Sequence, residues 1–182
     1  DGDRSADEVS SVVGLQRVLA LKRLESSPVS FLITLVRLAV LHAHRLQQLE
    51  SLCLTVGDKL RAKELRAAID ELIGAQPRKA LTKIRSLATG DRSSDSPADF
   101  IKTLSAAYSA DRPAADPDDP PPQLSLLYAD PDHPRREELD RLWPLREAIL
   151  QDFETLLDVT PGLADIVFGR FNDDQWPHRF IA

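Results

Sequence analysis

The sequence predicts an all-α protein, an irregular bundle built on one long central helix and interrupted by a proline- and aspartate-rich linker. Three observations carry this. Leucine and alanine dominate while aromatic residues make up only 5 % of the 182 residues. Strands draw on β-branched and aromatic side chains, so a sandwich or barrel is disfavoured. Apolar residues recur at three- and four-residue spacing through most of the chain, the period of a helix face. Prolines and glycines fall between these periodic stretches and punctuate them.

The first predicted helix starts near Ser5. Ser5 and Glu8 form a capping-box pair, each able to satisfy a free amide of the other. Val9, Val12, Val13, Leu15, Leu19 and Leu24 give it a broad apolar face. A polar knot follows, Lys22-Arg23-Leu24-Glu25-Ser26-Ser27, closed by Pro28. Serine caps open amides, and proline suits the first helical position because its missing N–H would have no partner there. A second helix therefore begins at Pro28 and runs to about Val56, stopped at Gly57. Its first half is apolar on nearly every side. Ser30, Thr34 and Arg37 are the polar exceptions, so it is placed at the centre of the bundle.

A third helix is expected over 58–73, with Leu65, Ala68, Ile69 and Leu72 inward. A fourth spans 77–88, with Ala80, Leu81, Ile84 and Leu87 inward and Arg78, Lys79, Lys83 and Arg85 elsewhere. A short helix fits 98–110. The stretch 111–123 holds five of the thirteen prolines and four aspartates, which marks a linker. Helix resumes over 134–158, where Leu139, Leu142, Leu145, Ile149, Phe153 and Leu156 keep the spacing. Pro144 should kink or split it. A last short helix is expected after Pro161, and the tail 169–182 carries Phe171, Trp176 and Phe180. The organisation is thus a helical core with a basic face (1–90), a linker with a short helix (91–133), and an acidic helical segment with a tail (134–182).

Charge is divided unevenly. Residues 1–90 hold 14 Lys and Arg against 10 Asp and Glu, a net of +4; residues 91–182 hold 9 against 19, a net of -10. The two parts should face different surroundings. Lys59, Lys63, Arg66, Arg78, Lys79 and Lys83, with Arg61 and Arg85, lie on two successive helices and could follow a phosphate backbone. Glu64, Asp70 and Glu71 are interleaved, so the same pattern also suits a solvated bundle face.

Several chemistries are disfavoured. There is no G-x-x-x-x-G-K-[ST] loop and no acidic hydrolysis box, which argues against nucleotide hydrolysis by this chain. G-x-S-x-G, H-E-x-x-H and C-x-x-C are also missing from the sequence. The single cysteine, Cys53, sits in an apolar helical context and reads as a buried thiol. His42 and His44 point about 200° apart on a helix and cannot share a metal. Asp130, Asp132 and His133 have a permissive spacing for a divalent ion, as do Asp173 and Asp174, but such runs are common in connectors. No metal, catalytic residue or cofactor is expected in this chain. The apolar run Val29–Leu41 is short and contains Ser30, Thr34 and Arg37, so no membrane span is expected. A cytoplasmic protein fits. The chain opens Asp-Gly-Asp and contains no methionine, which suggests a processed or excised piece.

The string LKRLESSPVSFLITL resembles a segment of bacterial and archaeal Swi/Snf-type superfamily 2 DNA helicases, including those of phage-defence systems and those fused to phospholipase-D-like domains. The matching positions are Leu21, Lys22, Arg23, Leu24, Glu25, Ser26, Ser27, Ser30, Phe31, Thr34 and Leu35. In that family the segment lies in a helical region between two RecA-like motor lobes, and a long variable helical stretch follows it. The resemblance implies a non-catalytic accessory segment contacting DNA or the motor lobes. Lys22, Arg23, Glu25, Ser26, Ser27 and Thr34 would form its joint. ATP and magnesium would belong to the parent or a neighbouring chain. The alternative is a stand-alone helical interaction module without nucleic-acid binding.

Overall fold

The computed structural model describes residues 27–90, 97–110 and 134–168. The expected first helix, the linker and the tail, and with them Lys22, Arg23, Glu25, Ser26, Asp130, Asp132, His133, Asp173 and Asp174, lie outside the described residues. Those that are described form helices and turns and no strand. In chain order they are α1 (Pro28–Thr55), α2 (Lys59–Ala75), α3 (Arg78–Thr89), α4 (Pro97–Ala110), α5 (Arg136–Leu142), a single 3-10 turn (Trp143–Leu145) and α6 (Arg146–Phe168).

The boundaries follow local chemistry. Ser27 is extended and its Oγ accepts from the Ser30 amide at 3.3 Å, with Pro28 in the first helical position. At the other end Gly57 takes a φ of 78°, a left-handed conformation costly for any residue with a Cβ. Asp58 then caps α2, accepting from the Arg61 amide at 3.1 Å. Gly90, with a φ of 75°, closes α3 in the same way as Gly57 closes α1.

α1 is the axis of the bundle. It packs against each of the other five α-helices, most extensively against α6 and α4. Ten of its residues are buried, among them Leu32, Val36, Ala39, Ala43, Leu46 and Cys53. α1 is long and apolar enough to cross a membrane by length and composition, a test that the core helix of a soluble protein also passes. One hydrophobic cluster draws on α1, α2, α3, α4, α5 and α6 together, with Phe153, Leu65, Ile84, Leu104 and Leu139 among its fully enclosed members. So α4, read from sequence as a helix within a linker, contributes Phe100, Ile101 and Leu104 to the core.

Three details differ from the sequence reading. Pro144 splits its helix, as expected, but the intervening 3-10 turn winds more tightly and leaves Leu145 51 % exposed rather than inward. Pro161 does not begin a new helix; α6 runs through it to Phe168. Proline removes one backbone bond, and burial of Phe153, Leu157, Thr160, Ala164 and Phe168 on either side keeps the helix continuous. Arg85 is only 6 % exposed, so it lies inside with Ile84, Leu87 and Ala88 instead of on the outer face.

Candidate interaction surface

Cys53 is fully buried, and burial followed by the nearby Asp58 pushes its thiol up to about 11. It is therefore an inert packing group at neutral pH. The two histidines of α1 face different neighbours. His44 Nδ1 lies 3.0 Å from Ser105 Oγ on α4, and its ring meets Tyr108 at 4.4 Å between centroids. His42 is buried, and burial, opposed by the Asp152 carboxylate and aided by Arg45, lowers its pKa. Both are interhelix residues. Among the described residues no group of three or more His, Cys, Asp or Glu gathers as a metal site would require.

The basic residues of α2 and α3 divide into two sets. Arg66 is engaged by Glu50 on α1, its Nε donating to Oε1 at 2.8 Å. Lys83 is ion-paired with Asp165 on α6. Arg61 donates to Asp140 at 2.6 Å and lies 3.7 Å from Asp58. Arg136 reaches the same two carboxylates, at 3.3 Å to Asp58 and 3.7 Å to Asp140. These four form a closed square of alternating charge between the start of α2 and α5. The guanidiniums hold the Asp140 carboxyl below its ordinary range, chiefly through the Arg61 hydrogen bond.

Beside this square stands Trp143. The Arg61 guanidinium lies 5.3 Å and that of Arg146 4.6 Å from its ring centre. Both contacts are within cation–π range. Arg146 also reaches Glu64 at 3.5 Å and Glu147 at 3.1 Å. Nothing in the local sequence marks this cluster, because its members come from separate helices.

Lys59, Lys63, Arg78 and Lys79 remain exposed and make no ion pair among the described residues. They do not form one continuous basic strip. The outer face of α2 alternates Lys59, Lys63 and Arg66 with Glu64, Asp70 and Glu71, three charges of each sign. Of the expected joint, Ser27 caps α1 and Thr34 Oγ1 donates to the Ser30 carbonyl at 2.9 Å. Both are local helix-forming contacts. No protein-family model, curated protein or solved structure matches this chain.

Proposed function

We propose that this chain is a non-catalytic helical accessory segment of a Swi/Snf-like ATP-dependent DNA helicase, working in the cytoplasm. One observation supports the reading beyond the resemblance itself. The Ser27–Pro28 joint opens α1, and α1 is the helix on which all the others pack. A fixed turn at that joint would therefore set the orientation of the whole bundle relative to the chain before it. An accessory element that transmits the movement of a motor needs this rigidity. ATP and magnesium are assigned to the motor lobes.

DNA contact in this reading falls to Lys59, Lys63, Arg78 and Lys79, with Arg66 and Lys83 held back by their carboxylates. The test is binding of the chain to duplex DNA at low salt, before and after charge reversal of those four residues to Glu. Loss of binding on reversal, with a shallower salt dependence, supports direct contact. A wild-type chain that ignores DNA at low salt rejects direct contact and leaves docking on the motor lobes. The coding sequence on either side decides the helicase assignment itself. Paired nucleotide-binding motifs flanking this segment support it, and an unrelated flanking sequence rejects it.

A second reading, a stand-alone protein-interaction module, draws support from the balanced charges of α2. It predicts association with protein and indifference to DNA.

A further inference from the structure

α1 carries a second surface that the function above does not use. Ser30, Thr34, Arg37, Leu41, Arg45 and Gln48 recur at helical spacing along it and face away from the buried side. At 1.5 Å per residue this stripe runs for about 27 Å, and its two arginines stand about 12 Å apart. Leu38, 38 % exposed, and the half-buried Phe31 border it, and the half-buried Leu41 lies within it.

Two features set it apart. First, α1 has no acidic residue before Glu50. Arg37 and Arg45 are both exposed and make no ion pair among the described residues. By contrast Arg61, Arg66, Arg135, Arg136 and Arg146 each hold a carboxylate. Second, the positive groups alternate with leucine rather than with more lysine or arginine. Phosphate backbones reward dense charge and offer nothing to a leucine. An amphipathic helix offers both carboxylates for the guanidiniums and apolar side chains for the leucines. Arginine with apolar neighbours is also the composition of protein interface centres, where lysine is depleted.

We propose that the outer stripe of α1 is a docking surface for an acidic amphipathic helix of a partner protein. Carboxylates about two turns apart on that helix would engage Arg37 and Arg45, and its apolar residues would cover Leu38 and Leu41. The inference rests on charge complementarity and exposure, so it stands whether or not the parent is a helicase.

The test uses the full chain and a synthetic helical peptide. The peptide has leucines at alternating three- and four-residue spacing, flanked by two glutamates as far apart as Arg37 and Arg45. A companion peptide carries lysine in place of both glutamates. Binding is read by fluorescence anisotropy. The expected result is saturable binding of the acidic peptide with a Kd of about 10 µM, weakened about tenfold or more by Arg37→Glu with Arg45→Glu. The same double variant should gain affinity for the lysine peptide. Both substitutions are at exposed positions, and an unchanged melting temperature confirms that the fold persists. No saturable binding of the acidic peptide up to about 1 mM overturns the proposal, as does binding that ignores the charge reversal. Binding of duplex DNA that depends on Arg37 and Arg45, with no peptide binding, overturns it in favour of a phosphate ligand.

Discussion

Lys83 on α3 is ion-paired with Asp165 on α6, and one turn-pair earlier Gln76 donates to Asp158 at 3.0 Å. Both contacts join residues 82 positions apart in the chain. The constant separation means that the chain from Gln76 into α3 advances in the same direction as α6 along this edge. The pairing also explains why a lysine read as a phosphate ligand is committed elsewhere. A double-mutant cycle of Lys83→Ala and Asp165→Ala should give a coupling of about 0.2–1 kcal/mol. Asp165 is largely exposed, which keeps the figure small. The coupling should fall as salt rises, and a coupling indistinguishable from zero at low salt would show that the pair does not hold the two helices.

His42 makes stability sensitive to acid. Its pKa lies below the ordinary 6.5 because burial penalises the imidazolium, with Asp152 opposing and Arg45 assisting. The unfolded chain therefore takes up a proton at a higher pH than the folded one. Its contribution is fully present above pH 6.5 and is lost as pH falls from there through the lower folded value. One such group gives a slope of at most about 1.4 kcal/mol per pH unit. Denaturant melts of wild type and His42→Phe across that range should diverge towards acid. Parallel curves would remove His42 as the source.

The cap at Ser27 should be worth about 1 kcal/mol, read as the loss on Ser27→Ala, while Ser27→Gly should cost only a few tenths. Urea melts of the two variants measure this. No loss in the alanine variant would mean that the hydroxyl contact to the Ser30 amide contributes nothing to the start of α1.

Where information was local, the sequence was easy to read. Ser27, Pro28, Gly57, Asp58 and Pro77 mark helix ends by their own conformational limits, and the observed ends fall within two or three residues of the expected ones. The inward leucines of α1, α2 and α3 follow from the helical period. What could not be read depends on partners far along the chain. Arg85 looks like its neighbours Lys79 and Lys83 until α3 is packed, and only then is it enclosed. The square of Asp58, Arg61, Arg136 and Asp140 joins two helices that no spacing rule connects. Leu145 obeyed the helical period in sequence, but the 3-10 turn at Pro144 rotated it outward. For the surface, the periodic stripe of Ser30, Thr34 and Arg37 was visible at once. That Arg37 and Arg45 hold no carboxylate among the described residues, while Arg61, Arg66, Arg135, Arg136 and Arg146 each do, follows only from the packed helices.

Core truncation should separate the axis from the periphery. Phe153 on α6 is fully enclosed beside α1, and Phe153→Ala should cost about 3–5 kcal/mol. Ile166, 80 % exposed on the same helix, should cost under about 0.5 kcal/mol when changed to Ala. Thermal and urea melts compare the two. A small loss at Phe153 would contradict the packing of α6 on α1.

Thr160 offers the opposite sign. It is completely buried on α6, yet its Oγ1 has no hydrogen-bond partner among the described residues. A buried hydroxyl in this position has given up water without compensation, at a cost of about 1–3 kcal/mol. The usual escape for a helical threonine is to donate to the carbonyl one turn back, as Thr155 does to Gln151 at 2.9 Å. Thr160 does not take it. Valine has nearly the same shape and no polar atom, so Thr160→Val should stabilise the fold by about 1 kcal/mol. Thr160→Ser keeps the hydroxyl and loses a methyl, and it should destabilise. A urea midpoint that rises for valine and falls for serine is the expected pair of results. A fall for valine would show that the hydroxyl is held by a partner, such as a buried water, that its loss leaves unsatisfied.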